Sequence, residues 1–396
     1  QECNEYAKNA LEEIGIEKEE FEQYFLKLED SKIENTQFSK EDQKFIDDFR
    51  EKTKGIKSER TRKILEIQRE WTEQLKKCDE VELYIIKSTV IIAGTCTGFV
   101  SNRIIRDVDF DYVIVDEAAK ATFPELAVSL NKAHKIILVG DHQQLPPVLD
   151  TEIIRNNREK LDEESLAQGI FEKMYNMFPD DNKHRLTIQY RMHPTIGTLI
   201  SHVFYNDEIQ NGVEAQDREL CIEGYEDTAI EWISTSKYSS KERYEKEFDN
   251  NGKKSYQNYL ERNIIEKKLL ELDSKLTQKT KVAVITGYGP QKYILQTMVK
   301  QHSYKNLEID VDTVDAFQGS QKDIILYSTV RSSANKYGIG FLKSEARINV
   351  AFSRARCLLI IVGDMNFLDN YRIRGNKFPE IIEYIKESEG CRIIEE

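Results

Sequence analysis

Asp116 and Glu117 close the apolar run "VIVDEAAKA" (residues 113–121), and Gly140 and Asp141 close a second one, "KIILVGDHQQLPPV" (135–148). Adjacent acids at the end of a strand can divide the labour of phosphoryl chemistry. One holds Mg2+, usually through water, while the other orients and deprotonates an attacking water. Gln144 follows Asp141 closely. A neutral amide there can sense a terminal phosphate without cancelling its charge, and the Pro146-Pro147 pair fixes the direction of the chain beyond it.

Three further stretches carry suitable side chains. "QYRMHP" (189–194) sets Arg191, a planar fork matched to phosphate oxygens, beside Tyr190, which can stack on a base. "NVAFSRAR" (349–356) supplies Arg354 and Arg356, expected on one helix and pointing in different directions. "TVDAFQGSQKD" (313–323) contains a turn at Gly319 flanked by polar donors, suited to a ribose or a phosphate backbone. A rival chemistry, metal-dependent nucleic-acid cleavage, would use Asp310, Asp312 and Asp315, the first two alternating on one strand face.

The elements that position these residues are legible as a change of texture. Up to about residue 85 the chain has no proline and only Gly15 and Gly55; Leu11, Ile14, Phe21, Phe25 and Leu28, then Ile64, Ile67, Trp71 and Leu75, keep helical spacing. From residue 89, "STVIIAGTCTGF", "YVIVDEA" and "KIILVGD" are short β-branched runs separated by helical or turn segments, and a second set follows in "KVAVITGYG", "LEIDVDTVDAFQG", "KDIILYSTV" and "CLLIIVGD". That alternation implies parallel sheets covered on both faces, with function at the strand ends. "LTIQYRMHPTIGTLIS" reads as a strand turning into a helix at Pro194, and residues 206–260 as an irregular insertion before the helix in "SYQNYLERNIIEKKLLEL".

The bulk numbers set the class. The 396 residues are 39% hydrophobic and 32% charged, with a net charge of −13, which suits a globular protein without basic coating; a local basic groove remains compatible with nucleic acid. No apolar run approaches the ~20 residues needed to span a bilayer, so no membrane partner is expected. The six cysteines form no C-x-x-C pair, which implies reduced thiols in an intracellular, cytoplasmic protein rather than zinc or disulfides.

Taken in order, "DEAAKAT", "GDHQQLPP", "QYRMHP", "TVDAFQGSQKD" and "ARINVAFSRAR" resemble the motifs of superfamily 1B helicases of the up-frameshift and senataxin type, over roughly residues 89–370. The resemblance implies an α/β fold of two RecA-like parallel-sheet domains, the first incomplete, behind a helical stalk-like segment: residues 1–88, then 89–185, then 186–396. It implies ATP and Mg2+ as cofactors and single-stranded DNA or RNA as partner, with 5′ to 3′ travel. Carried over residue by residue, Asp116 would coordinate the metal and Glu117 activate water, with Gln144 touching the γ-phosphate. Arg191 and Arg354 would be arginine fingers, Tyr190 the adenine-stacking ring, and Asp141, Gly319 and Gln321 further nucleotide contacts. Thr95, Thr313 and Tyr288 would face nucleic acid. Two positions depart from the family pattern: Gln321 stands where a ribose-binding Glu is usual, and Gly287 replaces a proline beside Tyr288.

A third departure is larger. No G-x-x-x-x-G-K-[ST] loop is present: the only Gly-Lys pair is Gly252-Lys253, and residue 247 is Glu. Without that backbone cradle, the β- and γ-phosphates lose several kcal/mol of preorganised stabilisation. The expectation is therefore a helicase portion whose loop comes from an upstream segment or a second polypeptide. The alternative is a hydrolysis-deficient nucleic-acid-binding or assembly subunit.

Overall fold

The computed structural model describes residues 79–103, 105, 108–147, 169–250, 253–317, 319–333 and 338–395, with Lys63 and Ile67 alone from the preceding stretch. The chain divides into two compact units, Gln1–Val108 and Asp109–Glu396. The helical spacing read in residues 11–75 falls almost wholly outside the described residues. In the first unit, α1 (Asp79–Ser88) and α2 (Cys96–Ser101) are helical. The strand expected in "STVIIAGTCTGF" is not formed. Residues 90–95 pair with nothing as strand, and Thr95 instead caps α2, its Oγ1 accepting from Gly98 N at 3.0 Å.

The second unit contains two parallel sheets that matter to function. β1 (Phe110–Val115) and β2 (Ala133–Leu138) pair in parallel, with α3 (Phe123–Leu130) between them in sequence. A capping box opens α3: Thr122 N donates to Glu125 Oε2 at 2.8 Å. α4 (Ile170–Met177) and β3 (Ile188–Gln189) lead to α5 (Pro194–Tyr205), begun by the Pro194 that the sequence marked.

The large sheet has six strands, all parallel. They are β5 (Ile230–Ser234), β8 (Thr280–Thr286), β9 (Leu307–Thr313), β10 (Lys322–Ser328), β11 (Ala355–Gly363) and β12 (Cys391–Glu395), in the spatial order β12-β5-β11-β10-β8-β9. The short β4 (Gln210–Asn211) pairs with β3, and the hairpin β6 (Lys246–Asn250) and β7 (Lys253–Gln257) stands apart from the sheet.

Alternate residues along each strand feed two cores. Trp232, Ile285, Ile325, Tyr327 and Ile361 pack with side chains of α5, α8 (Glu345–Phe352) and α9 (Phe378–Glu387). Ile233, Val284, Ile324, Leu326 and Ile360 pack under α6 (Tyr259–Lys275) and α7 (Gly289–Val299). This is why "KDIILYS" and "CLLIIVG" are unbroken apolar runs: both faces of a parallel sheet are dry.

Residues 206–260 are not simply irregular. They contain β5, a central strand buried at every position. Its sequence, "IEWIS", hid it because Glu231 interrupts the apolar run. That carboxylate is fully buried and is compensated by Lys268 Nζ at 3.2 Å and Arg392 Nε at 2.6 Å.

Candidate nucleotide site

Two loop-to-loop hydrogen bonds bring the acids together. Val139 N donates to Val115 O at 2.9 Å and Ala118 N to Val139 O at 2.8 Å, which sets Asp116-Glu117 beside Gly140-Asp141. A Cβ on residue 140 would stand 2.8 Å from Ala119 N, so this approach requires glycine. Glu117 adopts a left-handed backbone, φ 54°, uncommon for a residue with a side chain. Such strain gathers at functional sites. Glu117 N donates to Asp116 Oδ1 at 2.9 Å, and Asp116 Oδ2 has no protein partner among the described residues.

Asp141 is more heavily engaged. Its Oδ1 accepts from Gln143 N (2.9 Å), and its Oδ2 accepts from Gln144 Nε2 (2.9 Å) and Tyr205 Oη (2.5 Å). These bonds make Asp141 a brace of its loop. Tyr205 Oη in turn accepts from Asn349 Nδ2 at 2.8 Å, and the same amide donates to Gln143 O at 3.1 Å. Burial, then the Asp141 charge, pushes the Tyr205 hydroxyl above its ordinary pKa, so it stays a donor. Tyr205 and Asn349 were not singled out from the sequence. Nothing in "HVFYND" announces a tyrosine aimed at an aspartate 64 positions earlier.

Arg354 enters the same cleft. It lies in the turn after α8, and Arg356 lies in β11, so the two are not on one helix as expected. Arg356 pairs with Asp323 at 3.0 Å, away from this network. Arg354 is 2% exposed. Its guanidinium donates to Val350 O (3.0 Å), Ser353 Oγ (3.2 Å), Ser320 O (3.4 Å) and Gln144 Oε1 (3.5 Å). The Ser320 contact places the turn of Gly319 and Gln321 alongside. Gly319 is left-handed, φ 81°, and Gln321 is exposed. Desolvation, then the nearby Arg191 charge, brings the Arg354 pKa down to about 10, against the opposing pull of Glu117 and Asp141.

Arg191 donates from Nη1 to Ser353 O at 3.4 Å, and Tyr190 beside it is 63% exposed. Among the described residues neither Arg191 nor Arg354 is ion-paired with a carboxylate. Two converging guanidiniums without a counter-anion, an amide and an open carboxylate oxygen make a donor set that fits a polyphosphate with Mg2+, a cation that takes one or two carboxylates plus phosphate oxygens.

The proposed nucleic-acid contacts divide. Thr313 ends β9 and caps the short turn Val314–Ala316, with its hydroxyl at the carboxyl edge of the sheet. Tyr288 is corrected. It is 2% exposed, packs edge-on against Tyr256 and Phe341, and is a core residue. The nuclease triad is also corrected: Asp310 pairs with Lys322, Asp312 with Lys292 and Asp315 with Arg347. No cluster of three metal-ligating side chains exists among the described residues. No described helix is long and apolar enough to cross a membrane.

The parallel α/β sheet thus brings acids, an amide and arginines near one another, and the comparisons give the family. Two family models described as "AAA domain" match, one over residues 2–152 and one over residues 166–366. The chain belongs to this AAA-domain family. It is similar to the "Regulator of nonsense transcripts 1 homolog" of Drosophila melanogaster, 34% identical over 74% of this chain and 24% of that protein. It is similar also to the ATP-dependent helicase NAM7 of Saccharomyces cerevisiae, 31% identical over 81% of this chain and 31% of that one. An uncharacterized ATP-dependent helicase of Methanocaldococcus jannaschii is 28% identical over 84% of this chain and 46% of its own length. The chain thus spans about a quarter of the regulator relatives. Among solved structures, the PRRSV helicase aligns at 18% identity over 63% of this chain and 34% of its own, with a TM-score of 0.31.

Proposed function

We propose that the chain forms the working part of an ATP-driven translocase or helicase on single-stranded nucleic acid, stepping 5′ to 3′. Two RecA-like lobes, residues 89–185 and 186–396, would flank the cleft, with residues 1–88 as a helical insertion. One observation carries the reading. The Arg354 guanidinium, without a carboxylate partner among the described residues, reaches Gln144 Oε1 at 3.5 Å and lies within electrostatic range of Arg191 and of the strained Glu117.

In this reading Mg2+, when bound, neutralises phosphate charge, and Asp116 offers it the open Oδ2. Glu117 takes the proton from an attacking water, and Gln144 meets the terminal phosphate while holding Arg354 in register. Arg191 and Arg354 stabilise the charge that spreads over the phosphoryl oxygens. Tyr190 offers its exposed ring to the base, and Gly319 and Gln321 face the ribose. Thr95 and Thr313 meet the nucleic-acid backbone.

The test is ATP hydrolysis by the longest native polypeptide containing these residues, with and without single-stranded RNA or DNA. Stimulated turnover that Glu117→Gln abolishes is the expected result. Turnover that no nucleic acid stimulates ends the helicase reading and favours a subunit that binds without hydrolysing. Strand displacement on duplexes with 5′ or 3′ overhangs reads the direction.

A further inference from the structure

Residues 210–218 return from the end of α5 to lie against Tyr190 and Arg191, and their contacts there are unusually specific. Gln210 N donates to Thr187 O (2.7 Å) and Gly212 N to Gln189 O (2.9 Å), which draws the returning segment along β3. The Gln189 amide then fixes the turn that follows. Its Oε1 accepts from Arg191 N (2.9 Å) and Met192 N (2.8 Å), while its Nε2 donates to Asn211 Oδ1 (2.7 Å).

Arg218 completes the clamp. Its Nε donates to Arg191 O at 2.8 Å and its Nη2 to Tyr190 O at 2.6 Å. Among the described residues no carboxylate pairs with this guanidinium; its third branch, Nη1, donates to Asp217 O at 2.8 Å, so the planar fork is spent on carbonyls, two of them successive, a geometry a lysine cannot match. Gly212 acts on the ring itself. A Cβ there would stand 2.4 Å from Tyr190 Cε1 and 2.6 Å from Ile188 Cγ2, so only a hydrogen lets the Tyr190 ring lie where it does.

We propose that Gly212 and Arg218 are positioning residues of the nucleotide site: Gly212 sets the Tyr190 ring for stacking on the base, and Arg218 aims Arg191 at the phosphates by holding the two carbonyls between them. The inference rests on the reading of Tyr190 as base-stacking and Arg191 as phosphate-facing. An exposed ring can rotate away from a new methyl without unfolding the core, so Gly212→Ala tests placement rather than stability.

The experiment measures, in the full-length polypeptide, the affinity for ADP labelled on its ribose with a fluorophore, and the kcat for ATP. Gly212→Ala is expected to weaken ADP binding about tenfold, within the range of one lost base–aromatic stack. That effect should vanish when Tyr190→Ala is already present, as a double-mutant cycle requires of coupled residues. Arg218→Ala is expected to lower kcat about tenfold or more, Arg218→Lys to recover part of it, and neither to add anything to Arg191→Ala. A Gly212→Ala effect that is equal in both backgrounds, or absent while Tyr190→Ala itself weakens binding, overturns the Gly212 role. An Arg218→Ala loss that persists on top of Arg191→Ala overturns the Arg218 role. Tyr190→Ala and Arg191→Ala that change neither affinity nor kcat refute the parent reading and this one together.

Discussion

Residues 109–147 and residues 230–395 are both parallel α/β structure, yet they stand on different footings. In β1 and β2, Tyr112, Ile114, Ile136 and Ile137 are exposed although they sit in paired strands. In the large sheet, Trp232, Val284, Ile325 and Ile361 are sealed beneath helices on both faces. The lightly covered region carries Asp116, Glu117 and Gln144; the densely packed one carries Arg354, with Arg191 on the segment between them. Polar bonds add to the few buried side chains of the former, Val115, Leu126 and Leu145: Ala118 N to Val139 O, and the Asp141–Tyr205–Asn349–Gln143 chain that ties its loop to α5 and α8. The difference between the two regions can be attacked from both sides.

The largest effect is expected at the cleft. Arg354→Ala should lower ATP turnover by about 10³-fold, the scale of a lost arginine finger. Because its guanidinium has no carboxylate partner to strand, the unfolding midpoint in urea should barely move. A comparable loss of stability would mean that this arginine belongs to the packing of the large sheet.

Next comes the sheet itself. Trp232 is fully buried, meets Phe378 edge-on at 5.9 Å and donates from Nε1 to Gly363 O at 3.1 Å. Trp232→Ala should cost about 3–5 kcal/mol in equilibrium unfolding.

A pH effect of intermediate size is expected at Glu261. Burial pushes its carboxyl up to about 8, against bonds from Ser328 Oγ, Val330 N and Thr329 Oγ1. An acid whose pKa is higher folded than unfolded binds more protons in the native state. Its contribution to stability is therefore full below its ordinary 4.5 and lost as pH rises through about 8. Unfolding free energy should fall by up to about 1.4 kcal/mol per pH unit across that window, and Glu261→Gln should flatten the slope. An unchanged slope in the variant would assign the pH dependence elsewhere.

The smallest effect belongs to β2. Ile137→Ala, at a half-exposed position, should cost under about 1 kcal/mol in the same denaturation. A cost equal to that of Trp232→Ala would erase the contrast between the two regions.

Much of this was legible in the residues. "KVAVITG", "KDIILYS" and "CLLIIVGD" are strands because continuous β-branched runs suit sheets dry on both faces, and "YVIVDEA" is a strand as well. Pro194 starts a helix because its missing N–H costs nothing at the first turn. What escaped reading depends on partners far away in sequence. Glu231 disguised β5, since its neutralising Lys268 and Arg392 are met only in the fold. Tyr288 looked like a surface aromatic until Tyr256 and Phe341 closed on it. Arg218 and Tyr205 carry no local pattern at all, and Asn349, though inside a quoted motif, was not singled out. Their importance lies in the carbonyls and carboxylates they reach.

The position of β5 has one more consequence. Ile230–Ser234 is flanked on one side by Leu359–Gly363 and on the other by Cys391–Glu395, so a ribosome delivers both neighbours long after the strand they enclose. At synthesis rates of roughly 5–20 residues per second, that apolar segment of the nascent chain waits on the order of ten seconds with its amides unmatched. Translation speed between these points, as much as any equilibrium term, sets how often the sheet closes on its own strand rather than on a neighbouring molecule's.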